Sequence, residues 1–139
     1  MRAADIADSV GQAIAGRRAA LQFSGGKDSL ACLYLLHPLV EQGLPVYWLS
    51  TGDTIPETRA VLDQVRTWVP DLRTVQTDVL AWKAAHGIPS DVTTAQSSWI
   101  GQAYGMSDTP LVGRMDCCVA NLMQPMHQRM LADGIEVVI

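Results

Sequence analysis

The stretch Phe23-Ser24-Gly25-Gly26-Lys27-Asp28-Ser29-Leu30 sets two glycines, a lysine, an acid and two hydroxyls between two apolar runs. The run before it, residues 19–23, reads as a buried strand, and Leu30, Leu33, Tyr34, Leu36 and His37 after it fall at helical spacing. A glycine turn from strand into helix lies where helix N-terminal amides point outward with partial positive charge, and anions collect there. Gly25 and Gly26 let backbone N–H groups close around an anion with no Cβ in the way, Ser24 and Ser29 add hydroxyls, and Lys27 adds a compact charge. Asp28 is expected to cap the helix or to face a metal.

The same alternation continues outward from this turn. Residues 6–15 carry Ile6, Val10 and Ile14 at steps of four, an amphipathic helix ahead of the first strand. Pro38 ends or kinks the helix after the turn. Residues 45–50 form a second strand, and Pro56 opens a helix through Val61, Leu62, Val65, Trp68 and Val69 that stops before Pro70. Residues 72–77 are a third strand, followed by a helix over 78–86 with Thr77 or Asp78 as its cap. From Gly87 to Arg114 the pattern weakens into a long excursion rich in Gly, Pro, Ser and Thr, the kind of segment that carries function. A last helix is expected over 116–131, kinked at Pro125, and a fourth strand, read as central, over 135–139. Strands alternating with helices imply an open parallel α/β sheet covered by helices on both faces.

Composition bounds the rest. At 139 residues the chain is expected to form a single domain, and 48% hydrophobic against 17% charged residues is a globular balance. The net charge of −4 argues against a broad nucleic-acid surface, so phosphate binding must be local. Cys32, Cys117 and Cys118 make neither a disulfide framework nor a C-x-x-C metal site. The N-terminus lacks the apolar core of a secretory signal, and no run approaches the roughly 20 residues of a membrane span. A cytoplasmic protein is expected.

The turn is not a Walker A loop, because Leu21 and Asp28 stand where that motif needs Gly and Ser or Thr. Ser24-Gly25-Gly26-Lys27-Asp28-Ser29 instead resembles the PP-loop, the S-G-G-x-D-S signature of the adenine nucleotide alpha hydrolase-like superfamily. A second segment, Ser50-Thr51-Gly52-Asp53-Thr54-Ile55-Pro56-Glu57-Thr58, is similar to the D-T-G-x-x-F-P-E-T element of phosphoadenosine phosphosulfate (PAPS) reductases. Ser50 replaces that element's first acid and Ile55 its aromatic residue. Read locally, Thr54 and Glu57 also have the spacing of a capping box. A third segment, Arg114 through Pro125, resembles an R-x-C-C-x-x-L-K-x-x-P element of the same family, with one extra residue after Arg114 and no lysine.

The resemblance implies a Rossmann-like fold and a site for an adenosine nucleotide, whether PAPS, adenylyl sulfate or ATP. It implies that Ser24, Gly25, Gly26, Lys27, Asp28 and Ser29 hold the phosphate or sulfate end, that Ser50, Thr51, Gly52 and Asp53 lie beside it, and that Arg114 pairs with an anionic oxygen. It identifies no catalytic residue. Magnesium is expected only if the ligand is ATP, and the iron-sulfur cluster of some relatives is not, because Cys117 and Cys118 have no later C-x-x-C to join them. Reduction in this family uses a cysteine late in the chain, and none follows Cys118; turnover is therefore expected to need a further C-terminal portion. ATP-dependent adenylation and binding without turnover are the competing readings, and a homo-oligomer is compatible with either. His37, His86, His127, Trp82, Trp99 and the late methionines read as packing or capping.

Overall fold

The computed structural model describes residues 3–90, 99, 103, 104 and 111–139. Helix α1 (Ala3–Ala13) leads into strand β1 (Ala19–Phe23), then helices α2 (Lys27–Leu35) and α3 (His37–Glu41). Strand β2 (Val46–Ser50), helix α4 (Pro56–Val65), strand β3 (Leu72–Gln76) and helix α5 (Val79–His86) follow. Strands β4 (Ile88–Ser90) and β5 (Leu111–Gly113) precede a long helical segment made of α6 (Arg114–Cys118), a π-helical turn (Val119–Met123) and α7 (Gln124–Ala132). Strand β6 (Val137–Val138) comes last. The main sheet has the order β3-β2-β1-β6, every pairing parallel, so β1, β2 and β3 all end at one rim.

Alternation along the strands builds a core on each face of this Rossmann-like α/β sheet. Leu21, Phe23, Val46 and Trp48 point one way, into Val10 and Ile14 beside β1, Leu33 of α2, Val40 of α3, and Leu62 and Val65 of α4. Ala20, Tyr47 and Val75 point the other way, against Met126 and Met130 of α7. Full burial of a side chain such as Phe23 or Leu33 contributes about 1.5–3 kcal/mol. Helices therefore cover both faces, as the pattern predicts.

Several local expectations change. Strands β4 and β5 pair in parallel as a separate two-stranded sheet inside the segment read as a loop. The last strand is not central: β6 lies at the end of the sheet order, beyond β1, although Ile139 extends its ladder by donating to Ala20 and accepting from Gln22. No capping box forms at α4, whose cap is Ile55 with Pro56 at its start. Asp78 does cap α5, its carboxylate accepting from the Ala81 amide at 2.9 Å. Met115 and Met123, read as packing, are exposed, while Met106 lies outside the described residues.

Pro125 explains the π turn. Proline has no N–H to give the carbonyl four residues earlier, that of Asn121, and the helix widens over the turn just before it. The freed Asn121 carbonyl accepts instead from Thr77 Oγ1 at 3.0 Å, which ties the helix to the end of β3. Replacing Thr77 with valine leaves this carbonyl without its partner and is expected to cost about 1–3 kcal/mol, read as a lower urea midpoint.

At the opposite rim, Asp133 gathers the end of α7 onto the sheet. One carboxylate oxygen accepts from the Tyr47 hydroxyl at 2.5 Å, from Arg129 Nε at 2.9 Å and from Arg73 Nη1 at 3.1 Å. These donors, Tyr47 first, hold the Asp133 carboxyl down to about 2, while burial pushes the Tyr47 phenol up. A carboxyl held low in the folded state stabilises it above the ordinary carboxylate pKa, and that stability is lost as the pH falls through the folded value. The thermal midpoint should thus fall between about pH 4 and about pH 2 through this group, and Asp133→Asn should flatten that limb in a calorimetric pH series.

Candidate functional site

The glycine loop lies at the carboxyl rim, between β1 and α2. Gly25 has φ +83°, and a Cβ there would stand 2.6 Å from Thr58 Cγ2 of α4, so glycine is required twice, by conformation and by contact. The two serines close the loop on itself. Ser29 Oγ donates to the Gly26 carbonyl at 2.9 Å; the Ser24 hydroxyl, 2.9 Å from Ser29 Oγ, is therefore the donor between them, and the Ser24 amide also donates to Ser29 Oγ at 3.3 Å. Gly26 is the cap of α2 and makes no side-chain cap hydrogen bond, while its own amide donates to Ser24 Oγ at 3.4 Å. The amides of Lys27, Asp28 and Ser29 are by helix geometry without an intrahelical acceptor. Asp28 is thus not the cap. It sits in the first turn and accepts from Lys27 Nζ at 2.7 Å, with the two side chains 88% and 90% exposed.

The second loop runs along the same rim. The Ser50 carbonyl accepts from the Thr77 amide at 2.8 Å and the Thr51 carbonyl from Val79 at 2.9 Å, which fastens the end of β2 to the start of α5. Gly52 turns with φ +87°. Thr51 Oγ1 donates to Asp53 at 2.6 Å, and Lys83 of α5 stands 3.7 Å from the same carboxylate. Thr58 packs on Gly25 from the first turn of α4, so the two loops share one wall.

Residues 18–97 match the family model of the phosphoadenosine phosphosulfate reductase domain. The chain belongs to that family. No curated protein matches the chain.

The PAPS reductase family match takes in both loops and leaves the segment from Arg114 to Pro125 outside it. Beside the glycine loop, on the face covered by α7, a groove of about 240 Å³ is walled by Leu49, Leu122, Met123 and Met126, with Gln22 and Ser24 at its polar edge. On the other face a cavity of about 340 Å³ runs from Ser50, Gly52 and Thr54 past Arg59 and Arg66 to Thr74 and Gln76. Sequence reasoning assigned no site role to Leu49, Met123 or Arg59, and Met123 comes beside the glycine loop only through tertiary packing. Arg114 opens α6 directly after β5, beside the small sheet. Cys117 is buried, with Asn121 Nδ2 3.7 Å from its sulfur and 3.1 Å from its carbonyl, an arrangement of packing.

Among the described residues no three His, Cys, Asp or Glu side chains converge on a common metal position. Likewise, no helix among them is long and apolar enough to cross a membrane. Two histidines are occupied locally: His86 stacks on Trp82 at 4.6 Å and approaches its carbonyl, and His37 leans on Trp68 at 5.1 Å. Trp82 is thereby committed to His86, whereas Trp99 is 77% exposed.

Proposed function

We propose that the protein binds an adenosine nucleotide with its sulfated or phosphorylated end on the glycine loop, for sulfur-group transfer or reduction. The observation that carries this reading is the open start of α2. A Cβ on Gly26 would meet nothing nearer than Ser24 Oγ at 3.5 Å, and its φ of −83° suits any residue, so the fold itself does not demand glycine there. Helical N–H groups without a side-chain cap, reached past a residue that has no Cβ, are what a closely approaching oxyanion requires. The groove lined by Leu49 and Met123 supports an apolar base beside that anion, within reach of Gln22.

PAPS or adenylyl sulfate is the favoured ligand, on the family match and the Pro56-Glu57-Thr58 segment. Arg114 and the residues from Ser50 to Asp53 are proposed as its flanking contacts. With ATP, magnesium would screen the triphosphate; Asp28 and Asp53 are carboxylates at this rim, each paired with a lysine. Reduction would require a cysteine thiolate delivered to the sulfur, and the burial of Cys117 supports a structural role for that residue.

Titration calorimetry with PAPS, adenylyl sulfate and ATP, followed by assays for sulfite and for pyrophosphate, tests the reading. Tighter binding of a sulfonucleotide than of ATP is the expected result. Binding of ATP alone with pyrophosphate release would replace it with an adenylating enzyme, and tight binding without either product would favour a nucleotide-binding module.

A further inference from the structure

The rim opposite the glycine loop holds a cavity of about 480 Å³, larger than either cavity beside the two loops. Its lining comes from residues that precede or begin the strands: Arg18 before β1, Leu44 and Pro45 before β2, Arg73 in β3 and Ile135 before β6. Strands of this length separate it from the glycine loop by about 15 Å, so it is a different place from the proposed nucleotide site.

The floor and rim of this cavity differ in chemistry. Ile14, Leu39, Leu44 and Ile135 supply an apolar floor, and Arg17 and Arg18 supply charge at its edge. The Arg18 guanidinium lies over Gly134, which turns with φ +72° and where a Cβ would fall 2.5 Å from Arg18 Nη1. The Arg18 amide is anchored, donating to Glu136 at 2.9 Å. Yet among the described residues neither the Arg17 nor the Arg18 guanidinium has a hydrogen-bonded or ion-paired acceptor. The carboxylate that lines the cavity, Asp133, is shared by Tyr47, Arg73 and Arg129, and Arg73 is further held by Asp71 through Nε at 2.9 Å and Nη2 at 2.8 Å. Among the described residues, therefore, nothing takes up the positive charge of Arg17 and Arg18.

We propose that this cavity is a second binding site, selective for a small organic anion with an apolar body and a phosphate or carboxylate head. The body lies on Leu39, Leu44 and Ile135, and the head is gripped by Arg18 and Arg17, whose planar forks suit paired oxygens. An apolar floor with few convergent polar groups is the usual make-up of a small-molecule site, and the volume falls in that class.

Phenyl phosphate and hexanoate are the probes, with inorganic phosphate and benzyl alcohol as the head and the body alone. In amide-shift titrations of the full chain, both probes are expected to move the amides of Ala19, Leu44 and Ile135 and to leave those of Gly25 to Ser29 in place. Each isolated part should bind about tenfold more weakly than phenyl phosphate, and Arg17→Gln with Arg18→Gln should weaken phenyl phosphate by about tenfold or more. Both arginines are exposed, so the fold should persist, as circular dichroism would check; the wild-type shift map decides the matter even if it does not. Absence of shifts at this rim, or binding equal for inorganic and phenyl phosphate, or affinity indifferent to both substitutions, overturns the proposal. Failure of nucleotide binding at the glycine loop would leave it untouched.

Discussion

Gly25→Ala is expected to lower the stability of the protein by about 2–5 kcal/mol and to remove measurable nucleotide binding. The first part has two sources. An alanine at φ +83° costs about 1–2 kcal/mol, and the new methyl would stand 2.6 Å from Thr58 Cγ2, an overpacking worth about 1–3 kcal/mol. The second follows because the strained loop turns its amides away from the rim. The contributions can be separated: serine at position 58 has no Cγ2, so Thr58→Ser added to Gly25→Ala should recover the overpacking but not the conformational cost. Urea denaturation reads the stability and calorimetry the binding. A Gly25→Ala variant with native stability would mean that the loop does not have this conformation, and native affinity would mean that the ligand does not use it.

Lys27→Ala should do the reverse, sparing the fold and weakening the ligand. The lysine is 90% exposed and, among the described residues, pairs with Asp28 alone, an exposed contact that contributes at most about 1 kcal/mol. A hydrogen bond from an ammonium group to a sulfate or phosphate oxygen is worth about 1.5–3 kcal/mol, so affinity should fall by about 10- to 100-fold while the thermal midpoint barely moves. The present partner makes a second arm possible. Asp28→Asn frees the lysine and removes a negative charge beside the anion, and is expected to tighten binding and to raise its sensitivity to salt. Unchanged affinity in Lys27→Ala would remove this lysine from the site.

The candidate site was legible in part because its residues are neighbours in the chain. Ser24 to Ser29 are consecutive, and a strand before them with a helix after them fixes where they stand. The capping role of Asp78 and the breaks at Pro38 and Pro125 were legible for the same reason: each depends on a few neighbouring residues and a missing or added hydrogen bond. What failed to show was non-local. Thr54 and Glu57 have capping-box spacing, but Pro56 starts the helix from Ile55 and leaves the box unformed. Strands β4 and β5 are three residues each and far apart in the chain, too short for a periodicity and paired only with each other. The contact between Gly25 and Thr58, which makes one wall of two loops, cannot be read from residues so far apart in the chain.

The alternation of the main strands with helices, the glycine turn between the first strand and its helix, and the family were determined by the amino-acid sequence alone, through side-chain periodicity and the few residue types that tolerate a tight turn. Tertiary structure decided that β6 stands at the end of the sheet beyond β1, that Lys27 rests on Asp28, and that Arg17 and Arg18 edge a cavity at the far rim with no acceptor for their guanidinium groups among the described residues. The division has a physical cause. Dihedral preferences and hydrophobic spacing act over a few residues, whereas the competition of charges for partners is settled only when distant segments meet.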